Sequence, residues 1–188
     1  MFTLSIDCGG SFIKSAVLDE AGTIHGSERR MATPYPLSAE RFVETMAEVV
    51  ASNESADRIT IGMPGMIRHG VVMHTPHYIN EAGPFTRRDP QLVSSWKSFD
   101  VQRAVVAATG KPTIVMNDAE VHAAGVINGS GLEVVFTLGT GLGSAMFDGG
   151  VLAPHLELSH ATVRSGVWYD HWIGEETAAT KSVPIGGV

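Results

Sequence analysis

Residues 2–7, Phe-Thr-Leu-Ser-Ile-Asp, alternate apolar and polar side chains, run into Gly9-Gly10-Ser11, and are followed by a second strand-like run at Ile13–Leu18. Alternation with a period of two marks a half-buried strand, and a glycine turn between two such runs marks a hairpin. Glu20-Ala21-Gly22-Thr23 is a further turn, so three antiparallel strands are expected to open the chain. The arrangement recurs later. Val134–Leu138 and Ser144–Phe147 flank Gly139-Thr140-Gly141-Leu142-Gly143, and Asp148-Gly149-Gly150 turns the chain into Val151-Leu152. Two similar hairpin units in one chain point to an internal duplication.

Between the units the pattern changes period. Phe42, Val43, Met46, Val49 and Val50 fall at helical spacing behind Ser38, a capping residue type, which predicts a helix over 38–51. Ile59–Met63 reads as a buried strand ending in Pro64-Gly65, and Gly70–Met73 as another. The segment from His74 to Pro90, rich in Pro, Gly and Arg, is expected to be surface loop. Trp96–Ala108 is expected to be helical, ended by Gly110 and Pro112, with Thr113–Met116 the next strand and Ala119–Val126 the next helix. The order is that of an α/β chain.

Composition narrows the class. With 188 residues, 44% hydrophobic and 18% charged, the chain has enough apolar material for one domain or two small lobes, and no apolar run approaches the ~20 residues that span a bilayer. No membrane partner is expected. The first residues lack the basic segment of a signal peptide, and Cys8 is the one cysteine, so a cytoplasmic location is expected and an internal disulfide is excluded. A net charge of −7 argues against general nucleic-acid binding, although a local pocket can still hold phosphate.

Four segments carry chemistry. In Asp7-Cys8-Gly9-Gly10-Ser11-Phe12-Ile13-Lys14, glycines let backbone amides approach phosphate oxygens, Ser11 adds a donor, Lys14 a cation, and Asp7 a carboxylate able to hold a hydrated Mg²⁺. An ordinary glycine hairpin accounts for the same residues. Gly139, Thr140, Gly141 and Gly143 form a second candidate phosphate turn; a dinucleotide-binding reading fails there because no helix opens at the last glycine, and no Gly-Lys-Ser/Thr run exists for a P-loop. Asn117-Asp118 closes a strand at the end where α/β folds place ligands, and the same pair can serve as a helix cap. Glu157 and His160, three apart, can bracket vicinal hydroxyls.

Taken in order, these segments resemble the ROK family of sugar kinases in the actin-like ATPase superfamily. The resemblance makes the two glycine hairpins the phosphate motifs, makes Asp118 the catalytic base with Asn117 beside it on the sugar, and likens Glu157-Leu158-Ser159-His160 to a sugar-gripping Glu-Leu-Gly-His segment, with Ser159 in place of glycine. Gly62-Met63-Pro64-Gly65 matches a Gly-x-Pro-Gly stretch that puts Gly65 on the sugar side. A Pro-Asn pair is usual after it; here His77 follows Pro76, which leaves Asn80 as the substitute. The family's zinc cluster of three cysteines and a histidine has no counterpart, so no zinc site is expected.

The implied fold is a ribonuclease H-like duplication, two lobes of mixed sheet flanked by helices, with a small N-terminal lobe at 1–112 and a large lobe at 113–188. The implied reaction moves a phosphoryl group from ATP or inorganic polyphosphate, with Mg²⁺, to a hexose, glucose at its 6-hydroxyl. The zinc-free pattern is closer to the polyphosphate-using glucokinase branch. For a long phosphate chain, Arg29, Arg30, Arg87, Arg88, Lys97, Arg103 and Lys111 offer either a basic track or ordinary solvated surface charge. Relatives continue with long helices where only residues 161–188 follow His160, and Ile185-Gly186-Gly187-Val188 is a vestige of their last glycine motif. An incomplete second lobe is therefore expected, with an exposed apolar sheet face and self-association as a homodimer. The competing expectation is a sugar- and phosphate-binding protein without turnover.

Overall fold

The computed structural model describes residues 1–138, 142–154, 158, 161–164 and 166–169. Its elements in chain order are β1 (Thr3–Cys8), β2 (Phe12–Leu18), β3 (Ile24–Ala32), α1 (Ala39–Ala51), β4 (Arg58–Met63), β5 (Met66–Arg68), β6 (Val71–His74), α2 (Pro90–Trp96), α3 (Val101–Thr109), β7 (Thr113–Asn117), α4 (Asp118–Ala124), β8 (Leu132–Leu138), β9 (Leu142–Asp148), β10 (Val151–Leu152), β11 (Thr162–Arg164) and β12 (Val167–Trp168). They pack as two compact units, Met1–Val121 and His122–Val188.

The first unit is built on a mixed sheet of order β3-β2-β1-β4-β7. β1–β2 and β2–β3 are antiparallel, and β1–β4 and β4–β7 are parallel. Alternation decides which side is buried: Leu4, Ile6 and Cys8 of β1, Ile13 and Val17 of β2, and Ile59 and Ile61 of β4 join Phe42, Met46, Val49 and Val50 of α1 and Val101 and Val105 of α3 in one core. Asp7, Lys14 and Gly62 alternate onto the other side. The Ser38 hydroxyl caps α1 by accepting from the Arg41 amide at 3.2 Å, and Gly110, in the left-handed region at φ 69°, closes α3.

Two expectations are corrected here. The predicted helix Trp96–Ala108 is two helices, because Asp100 accepts the Arg103 amide at 2.9 Å and starts α3, while Ser98 takes a positive φ of 54°. Trp96 ends α2 in the core, where its indole donates to the Leu37 carbonyl at 2.8 Å and its ring meets Phe42, Tyr78 and Phe99. Nor is 74–90 all surface: Tyr78 and Ile79 are buried, and the Tyr78 hydroxyl, which burial alone would strand, donates to the Cys8 carbonyl at 2.8 Å.

The unit boundary falls after Val121 rather than at 112/113, since β7 hydrogen-bonds to β4 from Ile59↔Thr113 to Met63↔Asn117 and so belongs to the first sheet. In the second unit β8, β9 and β10 form an antiparallel meander in chain order, the same connectivity as β1, β2 and β3, with β8 and β9 paired from Leu132↔Asp148 to Leu138↔Leu142. A small core of Ala123, Ala145 and Phe147 forms there, with Ile127, Val135 and Leu152 against it. Leu132, Val134, Phe136 and Leu138 are exposed along the other side of β8.

Candidate active site

The first glycine turn is held from behind. The Gly9 amide donates to the Phe12 carbonyl at 2.9 Å, which closes the turn. Three hydroxyls from distant parts of the chain then take its carbonyl oxygens: Tyr78 on Cys8 at 2.8 Å, Thr33 on Gly9 at 3.0 Å and Tyr35 on Gly10 at 2.8 Å. Carbonyls engaged in this way are fixed in direction, a condition for presenting backbone amides rather than oxygens to an anion. Burial raises the Tyr35 hydroxyl to about 12 and that of Tyr78 well above its ordinary value, so both stay protonated donors. A Cβ on Gly10 would stand 2.7 Å from Pro84 and 3.1 Å from the His77 ring, so those side chains roof the turn.

Strand register sets out a row of chemical groups. Asp7 is opposite Lys14 across β1–β2 and level with Gly62 across β1–β4. The Lys14 ammonium lies 3.7 Å from the Asp7 carboxylate, both partly exposed. A Cβ on Gly62 would come within 3.4 Å of the Asp118 Cα and 3.2 Å of a Val121 methyl, so the first turn of α4 rests on the space that glycine leaves. Asp7 and Asp118 thereby flank one strand end. The effect is felt by Cys8, whose thiol is pushed well up first by burial and then by the Asp7 and Asp118 charges. His77 is pushed down from its ordinary value of 6.5 by burial, with the Asp118 charge opposing.

Asp118 is presented by a reciprocal cap. The Asn117 side chain accepts the Ala119 amide at 2.8 Å while buried Glu120 accepts the Asn117 amide at 3.0 Å, and the Asn117 Nδ2 donates to the Gly65 carbonyl at 2.8 Å. The capping role foreseen as one of two for the pair is present at Asn117. Glu120 was missed, though Asn117-x-x-Glu120 is a readable capping signature. Gly65 has φ 109°, and a Cβ there would strike the His74 carbonyl at 2.2 Å, so the requirement for glycine is structural.

Asn80 is buried, with Nδ2 donating to the Pro76 carbonyl at 3.2 Å, which ties it to its own loop. Ser11 is exposed on the turn, its carbonyl accepting the Thr33 amide at 3.0 Å. In the second unit Gly143 pairs with Thr137 in the β8–β9 ladder. Gly139, Thr140, Gly141, Glu157 and His160 lie outside the described residues. Thr33, Tyr35 and Tyr78, which hold the turn, were not foreseen, since no local spacing links them to it.

The class of protein follows from these parts. A mixed five-stranded sheet and a second antiparallel meander, each opening on a glycine hairpin, form the actin-like ATPase fold, and solved structures of sugar kinases share it. The sequence pattern of the ROK family matches residues 3–154, and the chain belongs to that family. It is 31% identical over 168 residues to the polyphosphate glucokinase of Mycobacterium tuberculosis, covering 84% of this chain and 57% of the relative. Among solved structures it is similar to the inorganic polyphosphate/ATP-glucomannokinase from Arthrobacter sp. strain KM, at 29% identity and a TM-score of 0.72, over 95% of this chain and 70% of that one. It is also similar to a ROK family glucokinase from Streptomyces griseus in complex with glucose and AMPPNP, at 26% identity and a TM-score of 0.67, over 87% of this chain and 51% of that one. The chain thus spans about half the length of the curated relatives it matches, from 47% to 57%.

Proposed function

We propose that the chain acts as a carbohydrate kinase, moving a phosphoryl group from ATP or inorganic polyphosphate to a hexose, with glucose and its 6-hydroxyl as the acceptor. The observation that carries this reading is the row Lys14, Asp7, Gly62 and Asp118 beside a glycine turn whose carbonyls are held by three hydroxyls. Support for the substrates comes from the similarity to a polyphosphate glucokinase and to a ROK family glucokinase in complex with glucose and AMPPNP.

In this reading Asp118 takes the proton of the 6-hydroxyl as that oxygen bonds to the terminal phosphorus, and the bond between that phosphorus and its bridging oxygen breaks. The electron pair leaves on ADP or on a polyphosphate shortened by one unit. The Gly10 and Ser11 amides of the first turn steady the donor phosphates, and Lys14 balances their charge. Asp7 is a partly exposed carboxylate, a fit to Mg²⁺, which keeps several waters and takes one or two carboxylates plus substrate phosphates. When bound there, the ion would screen donor charge. The second-unit turn at Gly139–Gly143 and the Glu157/His160 pair complete the reading as donor and sugar contacts.

The same reading places the protein in the cytoplasm and as a dimer through the exposed apolar side of β8; among the described residues no helix is long and apolar enough to cross a membrane. A coupled assay with glucose, Mg²⁺ and either donor tests the activity. Asp118→Asn should lower kcat by ~10²-fold or more while glucose binding persists. Turnover that survives this change refutes Asp118 as base, and glucose binding without turnover in the unaltered protein refutes the kinase reading.

A further inference from the structure

Seven basic residues are spread along the chain as a possible track for a long phosphate chain, and the fold separates them. Arg87 pairs with Glu81, and the Lys111 ammonium donates to the Glu54 and Ala56 carbonyls. Arg88 belongs to a loop bridge with Asn80. Lys97 follows α2 and Arg103 lies on α3, helices whose apolar residues pack on the core side of the first sheet. Arg29 is opposite buried Ser15, again on the core side. Arg30 alone of the seven is opposite Lys14, and so shares the side of the sheet that carries Asp7.

Two cations directly opposite each other on antiparallel strands repel, and a fold bears that cost without return unless an anion joins them. Lys14 is partly balanced by Asp7. Arg30 is held in another way: its guanidinium lies 3.6 Å over the Phe12 ring, and Phe12, the residue after the glycine turn, keeps 41% of its surface exposed. Stacking of this kind orders a guanidinium while leaving its edge donors available for phosphate oxygens. Lys14 follows the glycine turn along β2, and Arg30 stands one strand further out on β3, about 5 Å away between backbones.

We propose that Arg30, held by Phe12, is a binding residue for the part of a linear polyphosphate that extends beyond the phosphates at the glycine turn and Lys14. The proposal rests on the kinase reading above. A donor whose negative charge continues past its first few units reaches this guanidinium, whereas the charge of ATP stops where the nucleoside begins.

Calorimetric binding of a defined long-chain polyphosphate and of ATP, each with Mg²⁺, tests it in the unaltered protein and in Arg30→Gln, Arg30→Lys and Phe12→Leu. Arg30→Gln should weaken polyphosphate by ~10-fold or more and ATP by less than ~2-fold, as expected for loss of a charge-assisted contact. Arg30→Lys should recover part of the loss, and Phe12→Leu should weaken polyphosphate more mildly. Equal weakening of both donors, or unchanged polyphosphate affinity in Arg30→Gln, overturns the proposal while leaving the kinase reading in place. Failure of the unaltered protein to bind either donor removes both.

Discussion

Gly62 offers a direct test of how Asp118 is placed. Its backbone is ordinary strand, so alanine meets no conformational penalty there, and the added Cβ would lie 3.2 Å from a Val121 methyl and 3.4 Å from the Asp118 Cα. Carbon atoms settle at about 3.5–4.0 Å, so the first turn of α4 must rise by ~0.4 Å. If a displacement of ~1 Å at a reacting group costs ~10²-fold, 0.4 Å corresponds to ~1 kcal/mol, or a kcat lower by ~5-fold. Stability should change little, because overpacking near the lower end of about 1–3 kcal/mol is opposed by the ~0.5–1 kcal/mol that alanine gains over glycine in the unfolded chain. Val121→Ala removes the methyls that collide. In the Gly62→Ala background it should restore most of kcat, with a coupling of at least ~0.5 kcal/mol in the double-mutant cycle. Steady-state kinetics with urea unfolding as the control decides the matter. An unchanged kcat in Gly62→Ala, or strictly additive effects, would show that the seat of α4 on Gly62 does not position the carboxylate.

Gly65→Ala combines a positive φ with a collision at the His74 carbonyl, so unfolding in urea should show a loss of ~3 kcal/mol or more, and a variant of ordinary stability would contradict the geometry. His77 binds a proton more readily in the unfolded chain, because burial lowers its folded value below 6.5; unfolding therefore takes up a proton, and stability should fall as pH drops below about 6.5. His77→Asn should flatten that part of the stability–pH curve, and an unaltered slope would refute the assignment.

Much of the fold was legible because its signals are local. Alternation in 2–7 and 13–18 around glycines marked the β1–β2 hairpin, Ser38 and the spacing from Phe42 to Val50 marked α1, and the second glycine unit announced the β8–β9–β10 meander. Asp7 and Lys14 were nameable as a pair for the same reason, seven residues apart on one hairpin. The break between α2 and α3 was missed because apolar residues on both sides of Asp100 keep helical spacing, so periodicity concealed a cap.

Tertiary structure alone decided the rest. That Thr33, Tyr35 and Tyr78 hold the turn carbonyls, that Arg30 and not Arg29 shares the side of Lys14, and that Asp118 rests on Gly62 all depend on strand register and packing between residues far apart in the chain. Side-chain type and near spacing determine which strands, helices and turns a segment can form. Which of them meet is set by burying one apolar face against another, and a chain read in order carries no record of that meeting.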